Sequence, residues 1–143
     1  MAVFTDNSKQ NLIKEIAQEL DCGNDCFYNI KTNEIITIPS FFETLDETEF
    51  KKIFQSDLTR IEKQKDDLIK FEVLESFQSF KIMEEFVRQL SDQQLQSELE
   101  NILANKKPFQ NFKFIIEQTE FRNNWFEFKQ SELEKIVEKQ FNR

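Results

Sequence analysis

The sequence predicts an α+β fold, predominantly helical, with a small antiparallel β-hairpin sheet near the N-terminus. Three observations carry that prediction. Six segments repeat apolar residues at helical spacing, two short β-prone runs flank a polar turn, and a third run alternates loosely at residues 68–73. The length of 143 residues suits a single domain spanning 1–143, large enough to bury a core without disulfide or metal staples. About 60% helix is expected from the spans below.

The first helix is expected over residues 9–20, with Leu12, Ile13, Ile16, Ala17 and Leu20 on one stripe. Ser8 or Asp6 is read as its cap, and Gly23 stands just past its end, where a left-handed residue closes helices. Cys26-Phe27-Tyr28-Asn29-Ile30 and Ile35-Ile36-Thr37-Ile38 then bracket Lys31-Thr32-Asn33-Glu34, a hairpin pattern. Asn33 is the expected left-handed turn residue, because asparagine tolerates positive φ better than most side chains. The second helix opens with Asp46 as N-cap and Glu49 as its box partner, with Leu45 stapled to Phe50. Phe50, Ile53, Phe54, Leu58 and Ile61 form its apolar stripe, and the polar cluster at 63–67 ends it. Residues 68–73 are compatible with strand or helix; strand is preferred, since a lone hairpin is marginal without a third strand.

From Ser76 onward every segment reads as helix. Phe77, Phe80, Met83, Phe86, Val87 and Leu90 are expected to line one side of the third. The fourth opens with Ser91 as cap and Gln94 as box partner, with Leu90 and Leu95 as the staple. Asn105 is read as a left-handed stop and Pro108 as the first turn of the fifth. The sixth begins near Thr119 and runs to about residue 140. The seventeen phenylalanines fall mostly at helical spacing and are read as core.

Composition excludes several function classes. A net charge of −8 argues against non-specific DNA binding, which needs a basic face. No apolar run approaches the ~20 residues of a membrane span. Met1-Ala2-Val3-Phe4-Thr5-Asp6 lacks the cationic head and apolar stretch of a signal peptide, so a cytoplasmic location without membrane attachment is expected. With no histidine, the usual general base and the Ser-His and Cys-His pairs are absent. One glycine cannot build a phosphate-cradling loop, and no cofactor is expected. Cys22 and Cys26 offer two ligands where zinc needs about four, so no metal site is expected. They read instead as two half-buried thiols at the ends of a turn.

Several stretches resemble a bacterial family of uncharacterised proteins. Phe80-x-x-Met83-Glu84-Glu85-Phe86, Phe109-x-x-Phe112-Lys113 and Phe121-Arg122-x-x-Trp125-Phe126-x-Phe128 carry the resemblance, together with Tyr28-Asn29-Ile30-Lys31-Thr32-Asn33-Glu34-Ile35. The family is the one catalogued as uncharacterised protein family 0158. It covers roughly residues 10–140 here, and is least evident at 40–65. It normally has a glycine in the place of Asn33, in keeping with a left-handed turn. The resemblance implies a domain and no activity, so it transfers no catalytic residue.

Two kinds of charged constellation stand out. Asp66-Asp67 and Glu84-Glu85 are paired carboxylates, but acid–base or cation chemistry needs convergence from separate elements. Glu85 is expected in solvent and Glu84 at a stripe edge. The cations are more informative. Residues 104–131 hold five basic and three acidic side chains in a chain acidic elsewhere. Lys113 falls within the Phe109–Phe112–Ile116 stripe, and Arg122 and Lys129 lie one turn either side of Trp125 and Phe126. Lys113, Arg122, Trp125, Phe126 and Lys129 are therefore the candidate anion or partner surface, against the plainer reading that the stems snorkel over apolar neighbours.

The leading expectation is a non-catalytic interaction or regulatory module that binds a protein partner, with a homodimer left open. Nucleic-acid or polyanion binding through the cationic–aromatic surface ranks second, and a carboxylate-dependent enzyme third.

Overall fold

A computed structural model of the protein describes residues 6–40 and 47–142. Among them the elements are, in order, α1 (Asp6–Asp21), β1 (Asn24–Asn29), β2 (Ile35–Pro39), α2 (Glu47–Gln64), β3 (Leu68–Phe71), α3 (Ser76–Arg88), α4 (Gln93–Leu103), α5 (Pro108–Ile116) and α6 (Arg122–Phe141). The fold is α+β and mostly helical. The chain divides into two compact units, one of residues 1–73 with 133–143 and one of residues 74–132. Residues of α6 belong to both.

The first unit is built on the sheet, whose strand order is β2-β1-β3 with both pairings antiparallel. Residues 68–73 thus supply the third strand, on the far side of β1 from its hairpin partner. Register places Cys26, Tyr28 and Phe71 towards one face and Ile36 and Ile38 towards the other, and all five are buried. Both faces are apolar, with α1 packed on β1 and α2 on β2. This is why the strands alternate imperfectly in sequence: one-sided alternation marks a half-solvated sheet, not one covered twice.

The α1 stripe of Leu12, Ile13, Ile16, Ala17 and Leu20 is buried throughout. The helix already includes Asp6 and Ser8, so neither is its cap. It ends where Gly23, at φ 92°, donates its N–H to the Leu20 carbonyl at 3.0 Å. Phe141 closes the unit, its ring 5.4 Å from Tyr28 and 4.9 Å from Phe71, while the Gln140 amide donates to the Lys70 carbonyl. Asp46 and Leu45 lie outside the described residues, as does the Phe50 side chain. Ile53 is 69% exposed, against expectation. It sits about 100° round the helix from the half-buried line of Phe54, Leu58 and Ile61.

The second unit has its own core, formed by Ile82, Met83, Phe86 and Val87 of α3, Leu95 and Leu99 of α4, Phe112 and Ile116 of α5, and Trp125 of α6. Phe77 is not part of it. It is 59% exposed, and at 100° per residue it lies roughly 150° from the centre of the buried α3 stripe, which takes in Ile82 at its edge. More generally, Phe71, Phe86 and Phe112 are buried, Phe77, Phe109 and Phe114 are exposed, and the other described phenylalanines are half-buried. Of the half-buried rings, Phe80, Phe121, Phe126 and Phe128 pack against the core of the second unit, so three of the described phenylalanines stand apart as exposed.

Helix ends correct three further expectations and add one cap. Asp92, not Ser91, caps α4, accepting the Leu95 N–H at 3.0 Å. Glu75 caps α3, and its N–H donates to the Gln78 side chain at 3.0 Å, a capping box unnoticed in the sequence. Lys107, at φ 53°, is the left-handed residue before Pro108. Asn105 is not in that region; its side-chain amide donates to the Asn101 carbonyl at 2.5 Å. The sixth helix starts at Arg122, with Thr119 in the preceding turn accepting the Phe121 N–H on its hydroxyl at 3.2 Å.

The two cysteines differ in environment. Cys22 is exposed and Cys26 is buried within β1, both free. Burial, with the charges of Glu19, Asp25 and Glu15 adding to it, pushes the Cys26 thiol from 9.0 up to about 12. The folded protein should accordingly present one thiol to Ellman's reagent at pH 8, with the second titrating only on unfolding. Between pH 9 and 12 the unfolded chain ionises Cys26 while the folded chain keeps it protonated, so this thiol's stabilising contribution declines across that interval. Two equally fast thiols in the native state would contradict the burial.

Candidate functional site

The five candidate residues all belong to the second unit, but they do not all converge. On α6 the Arg122 guanidinium lies 4.7 Å from the Phe126 ring centre, and the Lys129 ammonium lies 5.6 Å from both the Trp125 and Phe126 rings. Helical spacing produces this: residues 122, 125, 126 and 129 fall within roughly 100° of arc. Phe126 is held between two cations, a geometry worth about 0.5–1 kcal/mol per contact at exposed sites. Lys113, on α5, takes part in no cation–ring contact among the described residues. It is exposed, on the flank of α5 with Phe109, and the buried line runs through Phe112 and Ile116.

Trp125 is only 6% exposed. Its ring meets Phe112 at 4.9 Å and Phe86 at 5.3 Å, both edge-on. It serves the core of its unit and is no open platform for a stacked base. Phe126, half-buried, is the more accessible ring.

The carboxylate pairs are divided. Asp67 forms an ion pair with Lys31 at 3.2 Å and Glu85 one with Arg88 at 2.6 Å, while Asp66 and Glu84 are exposed. Among the described residues no group of three or more histidine, cysteine, aspartate or glutamate side chains is placed to hold a metal ion, and no helix is long and apolar enough to cross a membrane.

A polar network that sequence reasoning missed occupies the hairpin turn. Asn29, 3% exposed, accepts the N–H groups of Lys31 at 2.8 Å and Thr32 at 3.0 Å on Oδ1, and donates from Nδ2 to Gln64 Oε1 at 2.9 Å. The Tyr28 hydroxyl donates to Asn33 Oδ1 at 2.6 Å, and burial raises its pKa. Arg60 closes the outside by pairing with Glu34 at 2.7 Å. Only the local share was readable: an asparagine two residues before a turn N–H is an Asx-turn signal. The partners from α2 are more than two dozen residues away in sequence.

The model of an uncharacterised protein family, UPF0158, matches residues 6–140. The chain belongs to this family. No curated protein and no solved structure matches it. The stretch from Tyr28 to Ile35 that carries the likeness to UPF0158 is the one that builds this turn, with Asn33 at φ 64°. That backbone suits the glycine the UPF0158 resemblance places there. Asn33→Gly relieves the left-handed side chain but loses the Tyr28 hydrogen bond, so it should shift stability by less than about 1 kcal/mol. Asn33→Val should cost about 2 kcal/mol, since it adds strain to the same loss. Equal tolerance of both in urea denaturation would show the turn is built otherwise.

Proposed function

We propose that the protein is a non-catalytic interaction module that binds a protein partner through its second unit. The observation that carries this reading is exposed aromatic surface: Phe77 is 59%, Phe109 42% and Phe114 64% exposed. Phe77 lies one turn before Phe80 on α3, and the Phe80 ring meets Phe109 of α5 edge-on at 6.3 Å, so the two helices share one aromatic surface. Exposed phenylalanines held by helices are rigid anchors that gain free energy only when a partner covers them. Lys81 follows Phe80, Lys106 and Lys107 precede α5, and Lys113 is one turn beyond Phe109. None of the four forms an ion pair with a described residue. An apolar segment with acidic flanks is the complementary partner.

The test compares cross-linked partners of the wild type and of a Phe77→Ser, Phe109→Ser double variant in extracts of the host. A specific protein captured by the first and lost by the second, with helicity unchanged, supports the reading. Identical captured sets would refute it. Polyanion binding through Lys113, Arg122 and Lys129 is the second reading, favoured by the Arg122 guanidinium stacked on Phe126. It expects single-stranded RNA affinity that falls by about 0.7 log units per phosphate neutralised for each tenfold rise in salt, and that vanishes when all three become glutamine.

A further inference from the structure

Residues 124, 127, 128 and 131 line up along the side of α6 away from Arg122 and Lys129, and Phe121 stands just before the helix. Together with the end of α3 they line an open groove of about 440 Å³, within the second unit. Its size is in the range of small-molecule sites. Phe121 and Phe128, both half-buried, supply the aromatic surface, and Phe86 backs them from the core, its ring 5.5 Å from that of Phe128 and tilted by 50°. Gln89, Asn124 and Glu127 supply polar groups. None of these three side chains has a hydrogen-bond or ion-pair partner among the described residues, so each is available to a ligand. No lysine or arginine lines the groove among the described residues, which leaves Glu127 as its one charge.

From this composition we infer that the groove binds a small organic cation, an alkylammonium with an apolar body. Aromatic faces attract such a cation through their quadrupole, and a carboxylate at the rim neutralises it. The neutral amides of Gln89 and Asn124 accept hydrogen bonds from an N–H or hydroxyl substituent. An anion would meet Glu127 with nothing to offset it. The opposite side of α6 has the reverse chemistry, two cations over Phe126, so the helix separates a cation-accepting side from a cation-bearing one. This inference is independent of the aromatic surface on α3 and α5.

Choline and 3,3-dimethyl-1-butanol share a shape and differ in charge, which makes them the probes. Binding is followed by nuclear magnetic resonance, through the side-chain amides of Gln89 and Asn124 and the indole N–H of Trp125, whose ring lies 5.3 Å from Phe86. Choline should give saturable shifts at these groups, and the neutral isostere should bind about tenfold more weakly. Glu127→Gln should erase that difference, and Glu98→Gln, an exposed change on α4, should leave it intact. Glu127 is exposed, so its substitution leaves the fold in place. The inference is overturned if choline gives no saturable shift at these groups, if the alcohol binds as tightly as choline, or if Glu127→Gln binds choline as the wild type does.

Discussion

Phe112→Ala is expected to destabilise the protein by about 3–5 kcal/mol, a large share of the ~5–15 kcal/mol available to a typical domain. The ring is 1% exposed and packs edge-on against Trp125 at 4.9 Å, with Ile116 one turn away and also fully buried. Truncation leaves a cavity that rigid helices on several sides cannot close, so the cost exceeds transfer alone. Phe114→Ala removes the same atoms from a side chain 64% exposed and should change stability by less than about 0.5 kcal/mol. The pair is a controlled comparison, since both residues sit on α5 and only burial differs. Urea denaturation gives the free energies, and Trp125 fluorescence should shift in the Phe112 variant because its ring loses a neighbour. Similar costs for the two would mean that the second unit does not pack around Phe112.

That contrast also explains where the sequence was legible. In α1 aliphatic residues occupy one stripe, polar residues the rest, and a single glycine follows; stripe and stop were both readable. The hairpin was readable because Asn33 sits between two β-prone runs. In α3, α5 and α6 phenylalanine recurs all round the helix, so hydrophobicity loses its direction. Spacing alone then points Phe77 at the core and passes over Ile82, and it sets Lys113 within a stripe whose buried line runs through Phe112 and Ile116. Adjacent residues of equal capping chemistry, Ser91 and Asp92, differ by one position that propensity does not resolve.

The candidate site was partly legible for the same reason. Helical spacing alone brings Arg122, Trp125, Phe126 and Lys129 together, and the structure brings them together. Spacing does not say which ring faces inward. Trp125 does, through contacts to α3 and α5 that no local pattern encodes. The groove beside α6 was missed altogether, because Glu127 and Asn124 are unremarkable in sequence and gain meaning only once α3 lies opposite them.

Asn29→Ala is the second large effect, expected at about 2–4 kcal/mol although it removes only a small polar group. Its carboxamide is buried at the turn and satisfies three partners at once: the N–H groups of Lys31 and Thr32, and Gln64 on α2. Alanine leaves the two turn donors and the Gln64 carbonyl oxygen without their protein partner, and each loss costs about 1 kcal/mol after water is taken into account. Its own backbone stays engaged, donating to the Glu34 carbonyl and accepting from Asn33, both at 2.9 Å, so the strand survives while the turn loosens. Gln64→Ala removes only the last of these bonds and should cost about 1 kcal/mol. In a double-mutant cycle the two sites should couple by about that amount, because they share the bond. Hydrogen exchange gives the sharper readout: the Lys31 and Thr32 amides should lose protection in Asn29→Ala and keep it in Gln64→Ala. Protection unchanged in Asn29→Ala would show that the turn is held by the Tyr28–Asn33 bond and the outer Arg60–Glu34 pair, and that the buried carboxamide only fills space.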